Sequence, residues 1–245
     1  MYDTAKNTIE FRLWGRYALF SDPLTKMGGE KCSYHIPTYE ALKGVCKSIY
    51  WKPTIIWIVD EVRIMKRIRT QTKGTKLHKF ESAKPDLSIY TFLSDVEYQV
   101  RAHFEWNEHQ KDLKKDQIEG KHFAIAQRML ERGGRQDIFL GTRDCQGYAE
   151  PCAYGEGEGA YDRDDEIAYG LMFHGFDYPD ETGNEHLVAR FWRPVIRNGV
   201  IHFERSDAIP ESLRKFIRPM TAKTFGVNDN VKHVELEAQE LGVVK

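Results

Sequence analysis

A lysine and a histidine stand side by side at Lys121 and His122, directly after Gly120, in the stretch QIEGKHFAIAQRMLERGGR over positions 117–135. The stretch reads as a helix. At about 100° per residue, Phe123, Ala126 and Leu130 fall near one meridian and form its buried face. Lys121, Arg128 and Arg132 fall on the opposite side, and His122 lies between the two faces in the first turn. The first turn of a helix carries unbonded N–H groups and the positive end of the dipole, both of which favour an anion. Gly120 has no Cβ to keep a phosphate from the backbone. A histidine near neutral pH gives and takes protons. The pattern therefore describes a phosphate site with a proton-transfer group beside it. A solvated basic helix face with an incidental histidine is the plainer alternative.

A second candidate is SIYWKPT, where Tyr50 and Trp51 end a helix and Lys52 precedes Pro53. Aromatic rings beside a lysine stack bases and hold phosphates, although such rings more often pack on the core. A third is the basic stretch from Glu61 to Lys84, with eight Lys and Arg against two Glu. Its low hydrophobicity reads as a loop over about 67–86. There Arg67, Arg69, Lys73, Lys76 and Lys79 are candidates for contact with a nucleic-acid backbone. The fourth is acidic, GEGEGAYDRDDE at positions 155–166. Glutamates between its glycines would repel phosphate. Asp162, Asp164, Asp165 and Glu166 are oxygen ligands of the kind a hard cation takes, but their spacing is not that of a calcium loop, and a solvated hairpin tip fits better.

The charge is unevenly placed. Net charge is −1, yet residues 1–135 carry 24 Lys and Arg against 17 Asp and Glu, while residues 136–245 carry 12 against 20. Such asymmetry points to a basic binding surface offset by an acidic portion. The cysteines Cys32, Cys46, Cys145 and Cys152 form no C-x-x-C pair, so they read as reduced thiols and no metal site is expected. No apolar run approaches membrane-spanning length, and the N-terminus lacks a secretory pattern. A soluble cytoplasmic protein without a cofactor is expected.

These residues need elements to position them. NTIEFRLWGRYALF begins as a strand, with Ile9, Phe11 and Leu13 alternating against Glu10 and Arg12. Thr38 caps a helix with Ala41, Leu42, Val45 and Ile49 inward. TIIWIVDEVRIMKRI is a strand, and LSIYTFLSDVEYQVRAHFEWN reads as two strands with a turn at Ser94-Asp95. The second helix and the short strand RQDIFLGT follow. The order is βαββαβ, so the fold class is α+β. A ferredoxin-like, RRM-type domain over 1–145 precedes a small antiparallel β-sheet domain over 146–217, where Asn198-Gly199 marks a hairpin, and a polar tail over 218–245.

Three stretches carry a family resemblance. LWGRYALFSDPLTKMGGEKCSYHIPTYEALKGVCKSIYWKPT, EGKHFAIAQRMLERGGRQDIFLGTRDCQGYAEP and FWRPVIRNGVIHFE lie in collinear order over about residues 7–210. The sequence resembles the subtype I-C (d, or Dvulg) branch of the Cas-five family of CRISPR-associated proteins. The resemblance implies a processing endoribonuclease that cuts precursor CRISPR RNA at the base of the repeat hairpin. It implies that the protein then stays on the 5′ handle, beside the backbone and large subunits of the interference complex. It also implies a catalytic set of Tyr50, Lys121 and His122, with no metal. Alternatives are a non-catalytic subunit that caps the guide RNA, or a less selective metal-dependent nuclease acting on DNA through DRDDE. DNA is a further expected partner; a membrane is not.

Overall fold

Alternation along the first strand decides where the core lies. In a computed structural model, which describes residues 4–22, 25, 30–79, 82–223 and 225, β1 spans Thr8–Ala18. Ile9, Phe11 and Leu13 of β1 are buried on one side of the sheet. After the short β2 (Lys31–Cys32), α1 spans Tyr39–Ile49. The Thr38 Oγ1 accepts the Ala41 N–H at 3.2 Å, and Leu42, Val45, Cys46 and Ile49 face inward. Next come β3 (Ile55–Ile64), β4 (Thr70–Lys79) and β5 (Ser82–Trp106). A 3₁₀ turn over Lys111–Asp116 leads to α2 (Lys121–Glu131). Strands β6 (Ile138–Phe139) and β7 (Gln146–Pro151) follow, then β8 (Ile167–Ala168) and β9 (Met172–Asp177). The short α3 (Pro179–Thr182), β10 (His186–Trp192), β11 (Val195–Ile196), β12 (Val200–His202) and β13 (Arg214–Pro219) complete the described order.

The fold is α+β, with mostly antiparallel sheets and few helices. The main sheet runs β12-β3-β5-β1-β7-β6, with β2 and β4 also paired to β5. Strands β13, β10 and β9 form a second sheet, and β11 pairs with β8. At Asn198 and Gly199 the backbone takes φ of 49° and 76°, the left-handed pair that a two-residue hairpin turn requires. The hairpin is short because its arms diverge, β12 to β3 and β11 to β8. No helix among the described residues is long and apolar enough to cross a membrane.

Two expectations fail here. The basic stretch is not a loop: β4 pairs with β5 from Thr70↔Leu93 to Lys79↔Ser82. Thr70, Thr72 and Thr75 supply β-branched residues among Arg69, Lys73 and Lys76, and a strand tolerates charge on a solvated face. The segment read as two strands is one, β5. Asp95 absorbs the kink in the left-handed region at φ 52° while Ser94 and Val96 still pair with Tyr17 and Gly15. The second helix starts at Lys121, so that His122 lies in its first turn as expected; Gly120 at φ 76° breaks the helical path before it. Of the expected tail, only 218–223 and 225 fall within the described residues, and β13 runs into its start.

Candidate active site

Tyr50 closes α1. It leaves the helix with extended backbone, φ −159° and ψ 132°, while its N–H still bonds the Cys46 carbonyl at 3.0 Å. Trp57 of β3 donates its indole N–H to the Tyr50 carbonyl at 2.7 Å, which ties the end of α1 to the sheet. The phenol then reaches across to α2. Its oxygen lies 2.9 Å from Nδ1 of His122, a residue 72 positions away in sequence.

His122 is fully buried. The helical wheel placed it between faces and put Phe123 inside; the structure buries His122 with Ala126 and Leu130 and leaves Phe123 half-buried. The reason is the neighbour. Trp106 and Phe104 of β5 meet the imidazole nearly edge-on, at centroid distances of 5.5 and 6.5 Å. Their aromatic wall covers the ring that a wheel alone leaves at the boundary.

The other ring nitrogen fixes the tautomer. Nε2 lies 2.7 Å from the backbone carbonyl of Asp116, which only accepts, so Nε2 carries the hydrogen. In the neutral imidazole Nδ1 is then the acceptor, and the Tyr50 hydroxyl donates to it. The phenol pKa is raised by burial and by the Asp116 charge, with Arg135 opposing. Tyr50 therefore holds its proton at neutral pH and is no phenolate base.

Asp116 does more than accept from the ring. Its carboxylate takes a hydrogen bond from Thr54 Oγ1 at 2.8 Å and from the Lys121 ammonium, and it approaches His122 Nε2 to 3.3 Å. Partial burial pushes the Asp116 carboxyl up. The hydrogen bonds from Lys121 and Thr54 outweigh that, joined by the Lys121 charge and, when the ring is protonated, that of His122, and it sits below the usual range. Lys121 shares this carboxylate, but its ammonium stays at the surface while the Tyr50–His122 pair lies inside. Tyr50, 2% exposed against 0% for His122, holds what little surface the pair has.

The other sequence candidates lie elsewhere. Arg128 and Arg132 are exposed on the outer side of α2, and Lys52 is exposed beyond Tyr50. Lys73 sits over the Tyr17 ring at 3.3 Å; Arg69 and Lys76 are exposed, and the Lys79 side chain lies outside the described residues. Arg67 pairs with Asp164 and lies 4.6 Å from the Tyr161 ring centre. Lys73 pairs with Tyr90, 16 residues before Trp106 on β5, so the basic hairpin lies up to roughly 50 Å from His122. The acidic run is occupied by arginine. Asp162 and the carbonyls of Glu156 and Gly157 accept from Arg63, and Glu166 pairs with Arg197. Among the described residues, no three His, Cys, Asp or Glu are grouped to hold a metal.

A family model, Cas5d, described as CRISPR-associated protein (Cas_Cas5), matches residues 8–204. The chain belongs to the Cas5 family. Over 225 residues this Cas5 chain is 27% identical to the CRISPR pre-crRNA endoribonuclease Cas5d of Mannheimia succiniciproducens, covering 80% of this chain and 94% of that protein. It is 28% identical over 153 residues to the protein of the same name from Thermus thermophilus, covering 58% and 63%. Among solved structures it is similar to a CRISPR-associated protein at a TM-score of 0.69 and 35% identity, covering 83% of this chain and 95% of that one. The functionally uncharacterized protein SMU1763c from Streptococcus mutans gives a TM-score of 0.69 and 36% identity over the same shares.

Asp116 is the residue of this candidate site that the sequence did not offer. It sits in KDLKKDQIEG, which reads as a charged connector, and its link to His122 runs through a backbone carbonyl that leaves no side-chain signal. In Asp116→Ala the carbonyl and the tautomer remain, but Lys121 and Thr54 lose their anchor. Misplacement of this order is expected to cost about 10- to 100-fold in RNA cleavage, with affinity for uncleaved RNA no weaker. Single-turnover kinetics beside a binding titration check this. Acid acts in the same direction. A depressed carboxyl contributes stability above its unfolded pKa, about 3.9, and loses it as the pH falls through the lower folded value.

Proposed function

We propose that this chain is an endoribonuclease that cuts precursor CRISPR RNA at the base of the repeat hairpin and stays on the 5′ handle within the type I-C interference complex. Its partners are the repeat RNA and the backbone and large subunits of that complex. The observation that carries the reading is the 2.9 Å contact between Tyr50 and His122, set within a chain of the Cas5 family. The antiparallel order β3-β5-β1-β7 supports a ferredoxin-like, RRM-type arrangement. In it α1 links β1 to β3, and α2 lies between β5 and β7.

The proposed chemistry is attack by the ribose 2′-OH on its own 3′ phosphorus. The 2′ oxygen bonds to phosphorus, the bond to the 5′ oxygen of the next nucleotide breaks, and the products are a 2′,3′-cyclic phosphate and a 5′-OH. RNA meets Tyr50 before His122. The phenol takes the 2′-OH proton as it passes its own to His122 Nδ1. The Asp116 carbonyl and carboxylate stabilise the imidazolium that forms. The collected proton is then available to the departing 5′ oxygen. The Lys121 ammonium and the first-turn N–H groups of α2 oppose the charge that grows on the phosphorane.

The experiment is cleavage of the cognate repeat RNA by the wild-type chain in excess chelator. Undiminished cleavage at one position, with a cyclic phosphate on the upstream product, is the expected result. Binding without cleavage indicates a capping subunit. Cleavage that returns only with a divalent ion indicates a metal nuclease.

A further inference from the structure

Next to Tyr50 the surface opens into a groove of about 470 Å³, lined by Lys47, Trp51, Lys52, Pro53, Arg135 and Gln136. Two chain segments build it, the end of α1 and the connector after α2. Gly133 and Gly134, at φ 82° and 113°, turn that connector back onto α1. The Arg135 N–H then bonds the carbonyls of Ser48 and Ile49 at 3.1 and 3.2 Å, and the Gln136 N–H bonds Ser48 at 3.0 Å. The last carbonyls of α1 are thereby satisfied, and Arg135 is held by its backbone beside Tyr50.

The groove's cations differ in their commitments. Lys47 is bound to Glu181 at 2.9 Å. Lys52 and Arg135 have exposed side chains and no carboxylate partner among the described residues. Arg135 is near enough to Tyr50 for its charge to favour the phenolate. Trp51 is half-buried, and Phe225 meets its ring edge-on at a centroid distance of 5.9 Å, which steadies the indole. Two free cations beside a fixed aromatic ring form a site for an anion joined to a flat ring. A nucleotide is such a group.

We infer that this groove binds the nucleotide of the RNA strand next to the scissile linkage, with Arg135 and Lys52 on its phosphate and Trp51 against its base. The inference rests on the reading of this chain as the RNA-cleaving enzyme. It adds a subsite past the end of α2, whereas Lys121 stands at its start, so that the strand is held at a second point beside the scissile linkage. Arg135 is a positioning residue here, since it acts on the strand rather than on the reacting atoms.

The test uses the full chain and a cognate repeat RNA made uncleavable by a single 2′-deoxy nucleotide at the scissile position. Affinity is measured across a salt series for the wild type, Arg135→Ala, Arg135→Lys and the Lys52→Ala/Arg135→Ala pair. Alanine at 135 keeps the backbone bonds that fix the connector. Arg135→Ala is expected to weaken binding about fivefold to tenfold and to flatten the salt slope by about 0.7, the double variant by roughly 1.4. Arg135→Lys should restore the slope but not all of the affinity. On cleavable RNA the loss should fall mainly on KM. A folded Arg135→Ala chain with wild-type affinity and slope, while the wild type binds and cuts, overturns the groove alone. A wild type that neither binds nor cuts overturns the parent reading and the groove with it.

Discussion

His122→Ala is expected to slow cleavage of the repeat RNA by about 100-fold or more, the usual cost of removing acid–base help, while the RNA still binds. Among the described residues the Tyr50 hydroxyl hydrogen-bonds to the imidazole alone. Without it the phenol has nowhere to send the proton it is proposed to take from the 2′-OH, and its own raised pKa prevents it from serving as a base. Binding is expected to survive because Lys121, the cation proposed to meet the phosphate, is at the surface and separate from the ring. Burial adds a second effect. Removing a fully buried ring leaves a cavity and an orphaned hydroxyl, together worth about 2–4 kcal/mol of stability. A thermal melt must accompany the kinetics. His122→Asn keeps a polar side chain inside and should lose less stability but as much cleavage. A folded, RNA-binding His122→Ala chain that cuts within a few-fold of wild type contradicts the role given to the ring.

The legible parts of this chain were those encoded within one element. The period-two pattern of Ile9, Phe11 and Leu13 gave β1, and the hydroxyl of Thr38 gave the start of α1. What failed depended on the partner element. Lysines at 73, 76 and 79 suggested a loop because their charge masked the threonines that let β4 pair with β5. Ser94-Asp95 carried a turn signal, but β1 pairs across it and holds β5 as one strand. The acidic run looked like a solvated tip. It is the cradle for Arg63, a long-range contact that no spacing announces.

The site divides in the same way. Lys121 and His122 were conspicuous as a pair at a helix start, and local pattern gave their turn. Nothing in spacing joined them to Tyr50, and only the family resemblance did so. The structure brings Tyr50 and His122 together and sets Lys121 apart from them, on the surface side of Asp116. The wheel could not show that β5 supplies Trp106 and Phe104 to seal the imidazole. Nor could it show Asp116, whose hold on His122 uses a main-chain atom.

The second large effect concerns the substrate. Replacing the 2′-OH by hydrogen at the scissile nucleotide removes the proposed nucleophile and leaves the phosphates, bases and hairpin in place. The proposed Tyr50–His122 relay then has no proton to move, and no other hydroxyl of the strand is placed to attack the same phosphorus. Cleavage should fall to background, a larger loss than any single side-chain change produces, while affinity stays near that of the all-ribose RNA. The comparison is best made in excess chelator, with both RNAs at saturating wild-type enzyme and the product ends identified. The expected result is complete cutting of the ribose strand with a 2′,3′-cyclic phosphate and an intact deoxy strand. A deoxy strand cut at the same linkage contradicts it, because the attacking oxygen must then come from somewhere other than the RNA itself.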